Sequence, residues 1–318
     1  MSTISKELIN LLKERTREKG QAVNLLMDTI PIGKEAAYRR LRGEIPFSLE
    51  EAAAICRKLN VSLDVLAGMK NSDVYGFYTN AIVSDDPMSG YNKMLRQIVD
   101  TIEYLKNIPG SISYRAYTAL PHEFVFKYDS LSQMYIRILF YQLYMFTTPQ
   151  KLIDIEIPAD VNTNRKAVAS VMQDIEGMLI LDRHVFREFI EIVRYFHGLG
   201  MLADKTIAEI KRDLHLMLND LERCAFAGLS LHGKKLDIYI SQISFDCSYN
   251  YIEGADIKAC SLGVYCIDHL SSDNPQICER HKIWIKSLVR FSTLISISGE
   301  LQRNEYFSTQ REVVDALL

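Results

Sequence analysis

Long apolar runs are the first feature that this sequence lacks. The longest, Ile138 to Phe146, covers nine residues and is interrupted by Gln142, whereas a helix that spans a bilayer needs about twenty apolar residues. The first twenty residues are charged and amphipathic, without the continuous apolar core of a signal peptide. These absences predict no membrane partner, no export signal and a cytoplasmic location.

Cysteine, glycine and proline are also scarce. Six cysteines in 318 residues are too few for a disulfide scaffold, so free thiols are expected. Fifteen glycines and eight prolines exclude a low-complexity chain. No Gly-rich phosphate loop and no Gly-x-Ser-x-Gly nucleophile turn is present. A chain of this length and composition predicts about two globular domains.

The charge is divided unevenly along the chain. Residues 1–70 contain twelve Lys and Arg against nine Asp and Glu, a net charge of +3, and the remainder contains 25 against 31, a net charge of −6. The two values sum to the −3 of the whole chain. A basic head on an acidic body is typical of a small anion-binding module carried by a larger regulatory one.

Helical periodicity runs through the first seventy residues. Apolar residues at helical spacing mark the first helix: Ile4, Leu8, Leu11 and Leu12. Gly20 is expected to end it. A third helix within residues 33–43 carries four cations against one carboxylate. Ser48 and Glu51 have the spacing of a capping box that opens a fourth helix, and a short fifth helix is expected near residues 62–66.

The stretch from Ile32 to Leu66, IGKEAAYRRLRGEIPFSLEEAAAICRKLNVSLDVL, resembles the XRE/Cro, or lambda-repressor-like, helix-turn-helix family of transcription regulators. The shared features are helix three with its closing glycine, the Pro-x-Ser entry to helix four and the final Leu-Asn-Val-Ser-Leu-Asp-x-Leu. The resemblance covers about a fifth of the chain. It implies an all-α, five-helix DNA-binding domain over residues 1–70, followed by a linker over 71–90.

The resemblance also implies how double-stranded DNA would be read. The recognition helix, residues 33–43, would enter the major groove. Its base-facing residues would be Lys34, Glu35, Ala36, Tyr38 and Arg39. Phosphate contacts would come from Gln21, Arg40 and Arg42. Arginine suits either role, because its planar fork matches a guanine edge or a phosphate. The expected protein is a sequence-specific regulator that acts as a homodimer, since two half-sites roughly double the discrimination.

Residues 91–318 are expected to form a larger α+β domain for dimerisation, with an unidentified small-molecule effector as a further partner. Helical spacing covers 91–105, 134–146, 164–180, 184–198, 204–227, 276–301 and 306–317. Extended structure is expected over 111–120. An alternating pattern predicts an antiparallel pair, with strands over 236–251 and 257–267 and a bulge near Ser241 and Gln242.

Three groups of residues in this domain are candidates for a metal site, an acid–base site or a ligand pocket. Two Cys-x-x-His pairs could supply zinc ligands, but both cysteines also fit apolar positions, so neither a metal nor any other cofactor is expected: Cys266, His269, Cys278 and His281. A second group is interpreted as a hydrated helix face rather than an acid–base site: His184, Glu188, Glu191 and His197. The aromatic stretch 128–146 favours a core or dimer interface over a ligand pocket.

Two alternative functions stay open beside the regulator. The helix-turn-helix fold could bind protein rather than DNA, as part of an interaction scaffold. An enzyme could also be fused to the helix-turn-helix domain, but no catalytic constellation is found, so the protein is not expected to be an enzyme.

Overall fold

The computed structural model describes residues 3–16, 19–59, 61, 63, 77–79, 85–143, 151–264 and 268–317. The chain divides into two compact units, Met1–Gly76 and Phe77–Leu318. Helices and a seven-stranded mixed sheet make it an α+β protein. None of the helices in the described ranges is long and apolar enough to cross a membrane.

Helices build the described part of the first unit: α1 (Thr3–Arg15), α2 (Lys19–Thr29), α3 (Lys34–Leu41) and α4 (Leu49–Leu59). Their apolar faces share one small core whose central side chains are fully buried: Leu8, Leu12, Leu26, Ala37 and Ile55. The predicted capping box is present, because the Glu51 amide donates to Ser48 Oγ (3.1 Å) and the Ser48 amide donates to Glu51 Oε2 (3.0 Å).

One expectation for this unit is wrong, and another falls mostly outside the described residues. Gly20 does not end α1 but is the second residue of α2. The first helix ends earlier, and the Thr16 hydroxyl donates to the Leu12 carbonyl (2.6 Å), which satisfies one of the carbonyls left free at a helix end. Of the expected fifth helix, residues 62–66, only Leu63 is among the described residues, and its side chain packs against the small core.

The second unit is built on one sheet. Its strands are β1 (Ile112–Tyr117), β2 (Glu176–Asp182), β3 (Leu236–Ser241), β4 (Tyr249–Gly254), β5 (Ile257–Val264), β6 (Asp268–Ser272) and β7 (Ser292–Leu294), in the spatial order β6-β5-β4-β1-β2-β3-β7. Neighbours β1, β2 and β3 are parallel. The other pairs, β1–β4, β4–β5, β5–β6 and β3–β7, are antiparallel. A parallel centre is therefore extended by antiparallel strands on both sides.

Helices cover the two faces of this sheet: α5 (Pro87–Leu105), α6 (His122–Val125), α7 (Asp129–Leu143), α8 (Ala159–Val171), α9 (Val185–Gly198), α10 (Asp204–Ala227), α11 (Pro275–Leu288) and α12 (Glu300–Leu317). Strand alternation separates two cores. Leu179 and Leu181 face a large core shared with most of the helices. Met178 and Ile180 face a smaller core that is closed by α11.

The largest error of the sequence interpretation concerns the central strand. Residues 172–180 were expected at the end of a helix, but α8 stops at Val171 and β2 follows. The segment Met178–Leu181 is a short continuous apolar run, and a strand buried on both faces has no alternation to reveal it. The expected antiparallel hairpin is confirmed for β4 and β5, but the parallel centre of the sheet, formed by β1, β2 and β3, was not expected.

Two further boundaries differ from expectation. The alternation over 236–251 is not one bulged strand, since β3 and β4 lie on opposite sides of the β1–β2 pair. The helix expected over 276–301 ends at Leu288, and β7 and the start of α12 occupy the remainder. Local alternation and helical spacing do not encode which strands become neighbours, so these boundaries required the three-dimensional fold.

The region expected to be a linker, residues 71–90, contains regular structure at its end. Helix α5 begins at Pro87, because Asp86 accepts hydrogen bonds from the amides of Met88 (3.1 Å) and Ser89 (3.2 Å). Further upstream, Tyr78 makes an antiparallel bridge with Ser271 of β6. The beginning of the second unit is therefore attached to the edge of its own sheet.

Candidate functional site

Helix α3 presents one exposed stripe. Glu35, Arg39 and Arg42 are exposed and fall at i, i+4 and i+7, the spacing of one helix face. On the opposite side, Ala37 is fully buried and Leu41 packs against the small core. Gly43, with φ +77°, follows the helix, and this left-handed conformation is one that glycine adopts without strain. The core contacts of α3 thus turn the charged stripe outward.

Arg40 is tied to α4. Its Nη2 donates to Glu51 Oε1 (2.6 Å) and its Nε donates to Glu51 Oε2 (3.2 Å). The two side chains are only 13% and 18% exposed. Glu51 is also the capping-box carboxylate of α4, so one group fixes the start of α4 and the end of α3. This geometry favours a positioning role for Arg40 over the expected phosphate contact.

Glu44 lies between the two exposed arginines. Its Oε2 is 3.4 Å from Arg39 Nε, and its carboxylate accepts hydrogen bonds from Nε and Nη2 of Arg42. The hydrogen bond from Arg42 holds the pKa of Glu44 below its usual value, and the same bond raises the pKa of Arg42. The face therefore carries less uncompensated positive charge than residues 33–43 alone suggest.

The other candidate residues differ in exposure. Lys34 and Gln21 are exposed, at the first turns of α3 and α2. Ala36 is half-buried and leaves room for a close approach to the helix. Tyr38 is half-buried and packs against the small core, so only part of its ring surface is accessible. The outward group is thus Lys34, Glu35, Arg39 and Arg42.

The zinc ligand set is not assembled among the described residues. Cys266 lies outside them. Cys278 Sγ is 3.7 Å from Cys260 Sγ in the smaller core, whereas the His269 ring contacts His122 on the other face of the sheet (centroids 5.6 Å apart). His281 packs against a tyrosine ring. No cluster of three metal-ligating residues occurs in the described part of the chain.

Two other groups have ordinary structural surroundings. His184, just before α9, and Glu188, Glu191 and His197 within it are exposed, and His197 Nε2 lies 2.9 Å from Asp204 Oδ1. The aromatic stretch 128–146 begins one residue before α7, and its residues 144–146 lie outside the described ranges. Its described part supplies Tyr135 and Phe140 to the large core.

The structure thus brings the exposed cations of α3 together and adds two carboxylates that a count over residues 33–43 omits, Glu44 and Glu51. The capping-box spacing identified Glu51 as a cap, but its pairing with Arg40 across eleven positions has no local signal. Comparisons of the chain with models of protein families, with curated proteins and with solved structures found no match. A functional assignment therefore depends on the geometry of this chain's own residues.

Proposed function

We propose that the protein is a sequence-specific, DNA-binding transcription regulator with α3 as its recognition helix. The observation that carries the proposal is the outward stripe of Glu35, Arg39 and Arg42 on a helix fixed from behind by Ala37 and by the Arg40–Glu51 pair. With eight residues, α3 is about 12 Å long. The major groove, about 12 Å wide, admits such a helix.

The exposure of each side chain indicates its role in the proposed complex with DNA. Lys34, Glu35 and Arg39 would meet base edges with Ala36 and the accessible part of Tyr38, while Arg42 and Gln21 would meet phosphates. Arg39 and Arg42 would exchange their contacts with Glu44 for contacts with DNA. The proposal includes a cytoplasmic location and assigns no catalytic step to the chain.

The test compares three arginine-to-alanine variants of the full chain, on duplexes first selected from a random pool. Arg39→Ala should cost about 1–3 kcal/mol on the selected site and relax the preference at one base pair. Arg42→Ala should lower affinity about equally for all sequences. Arg57→Ala, an exposed arginine of α4, is the matched control and should change little. Equal losses for Arg39→Ala on every sequence would show that it does not read bases.

Salt dependence separates DNA binding from the protein-scaffold alternative. Phosphate contacts release counterions, so affinity for duplex DNA should fall steeply as salt rises. If the full chain bound no duplex from the pool at low salt, the regulator proposal would be abandoned in favour of a helix-turn-helix fold that binds protein.

The proposed homodimer finds support in an apolar surface of the second unit. Phe226, Ile297 and Leu301 are 71%, 70% and 74% exposed. The Ile297 amide donates to the Ala225 carbonyl (2.9 Å), which places Ile297 beside the end of α10. Ile297 also has φ +58°, a costly conformation for a β-branched side chain. Exposed apolar surface of this kind is typical of an interface between protein chains.

Phe226→Ser should therefore shift the protein from dimer toward monomer in sedimentation equilibrium. Tyr195→Ser is the matched control, since Tyr195 is an aromatic residue of α9 that is 64% exposed. A monomeric wild-type protein at micromolar concentration would contradict the dimer proposal, and loss of the dimer in the control alone would place the interface on α9.

A further inference from the structure

A cavity of about 230 Å³ lies between α5 and the antiparallel side of the sheet. Apolar side chains of α5 form one wall: Met94, Leu95, Ile98 and Ile102. Strand residues form the polar opposite side: Ser113, Asn250, Ser261 and Ser271. An engineered cavity of about 150 Å³ is large enough for benzene. This one therefore has room for a substituted ring or a short chain.

Two buried polar side chains that line the cavity each have one nitrogen without a hydrogen-bond partner among the described residues. Arg115 is 2% exposed, and its Nε has no hydrogen-bond partner among the described residues. His269 is 8% exposed, and its Nδ1 likewise has none. Buried polar atoms are hydrogen-bonded in the great majority of proteins. Two such atoms at one cavity point to a ligand that supplies the missing partner.

The cavity has polar groups but little net charge. Arg115 Nη1 lies 2.9 Å from Glu123 Oε1, with both side chains almost fully buried, so the guanidinium charge is compensated inside the protein. Burial lowers the pKa of His269 to about 4 and that of His122, which also lines the cavity, to about 3. Both rings are therefore neutral near pH 7, and a charged ligand would find no unpaired counter-charge.

We propose that this cavity binds a small, uncharged organic molecule with an apolar body and a carbonyl-type oxygen. The apolar body would pack on Ile98 and its neighbours of α5, and the oxygen would accept a hydrogen bond from Arg115 Nε or from the His269 ring. The molecule's role as the effector of the regulator rests on the proposed function above, whereas its binding does not.

The position of the cavity suggests how a bound ligand would affect the beginning of the second unit. His269 and Ser271 of β6 both line it. The Ser271 amide donates to the Tyr78 carbonyl (2.9 Å), and the Tyr78 amide donates to the Ser271 carbonyl (2.7 Å). Tyr78 is the second residue of the unit that begins at Phe77. A ligand that orders β6 would therefore also stabilise the bridge between Tyr78 and Ser271.

Binding is tested on the full chain with a panel of neutral carbonyl compounds (acetophenone, 2-octanone and N-butylbenzamide), each beside a hydrocarbon and a carboxylate of similar shape. Calorimetry and ligand-observed NMR should find binding of at least one carbonyl compound, weaker binding of its hydrocarbon and none of its carboxylate. Absence of binding by every neutral compound, or tighter binding of the carboxylates, would overturn the proposal.

Two variants locate the site. Ile98→Trp fills the cavity and should weaken binding at least tenfold, whereas Ile192→Trp, at an exposed position of α9, should not. His269→Phe keeps a ring but removes both nitrogens, so it should reduce the advantage of the carbonyl compound over the hydrocarbon and leave the fold intact. Unchanged binding in Ile98→Trp would place the ligand elsewhere and refute the assignment.

Hydrogen exchange separates this proposal from the regulator proposal. The bound compound should slow exchange of the Tyr78 and Ser271 amides in the wild-type chain and not in Ile98→Trp, with no DNA present. A change in DNA affinity on addition of the compound then tests the effector role. Binding without slower exchange would refute transmission through β6, and a chain that binds the compound but no DNA would refute the regulator alone.

Discussion

Removal of the Glu51 carboxylate should release α3 from α4, and the structure allows the cost to be worked out. Glu51 accepts two hydrogen bonds from the Arg40 guanidinium and one from the Ser48 amide. Hydrogen bonds to charged groups contribute about 1.5–3 kcal/mol, and a helix cap about 1 kcal/mol. The pair is 13% and 18% exposed, so water can solvate the freed Arg40 guanidinium, and this offsets part of the sum. Glu51→Ala should cost about 2–3 kcal/mol.

Hydrogen exchange in the full chain measures this cost within the first unit. The Ala52 amide donates to the Ser48 carbonyl (2.9 Å) and reports on opening of the first turn of α4. Since about 1.4 kcal/mol corresponds to tenfold, exchange at this amide should become roughly 30-fold to 150-fold faster in Glu51→Ala. Ser48→Ala, which removes only the hydroxyl of the cap, should give roughly fivefold.

A double-mutant cycle completes the test. Arg40→Ala and Glu51→Ala should be non-additive by about 1–2 kcal/mol, because each removes the same pair. If Arg40 acts by positioning α3, both variants should lower DNA affinity by similar factors. If Glu51→Ala raised DNA affinity, Arg40 would be a phosphate contact masked by its partner. Exchange within threefold of wild type would refute the energetic argument.

Two further predictions concern the second unit. A Cβ on Gly177 would lie 1.7 Å from the Ser113 carbonyl oxygen of the neighbouring strand, so Gly177→Ala should cost more than about 4 kcal/mol or prevent folding. Gly198→Ala, where nothing lies within 4 Å, should be neutral or stabilising by up to about 1 kcal/mol in urea unfolding. Burial lowers the pKa of His269 and of His281 to about 4, so below about pH 6.5 only the unfolded chain takes up protons at these sites. The unfolding free energy should therefore decrease between about pH 6.5 and 4 by about 2–3 kcal/mol per histidine, less in His269→Phe, and a flat profile over that range would contradict the burial argument.

Local signals predicted the parts of the fold that local interactions determine. The capping box of Ser48 and Glu51 and the alternation of Leu236, Ile238 and Ile240 correspond to α4 and β3. Strand β2 was missed, because a strand between two parallel neighbours is apolar on both faces and has no period of its own. Which strands become neighbours is decided by long-range packing, and single-sequence periodicity does not contain that information.

For the candidate site too, local sequence features predict some properties and long-range packing decides others. Exposure of Arg39 and Arg42 follows from the helical position of Ala37 and the end of α3 at a glycine, both of which are local features. The partners of the cations do not follow from such features. Residues that line the cavity come from β1, β4, β5, β6, α5, α6 and α8, and nothing in their sequence spacing indicates that they share one space.

The pairing of Arg39 and Arg42 with Glu44 has a consequence for how the protein would search a genome. Each contact that these arginines make with DNA would first break a contact with Glu44, so the net attraction to an arbitrary stretch of DNA would be small. Only a duplex that also satisfies Lys34 and Glu35 in the groove would offset that exchange. A regulator built in this way would spend little time on irrelevant sequence.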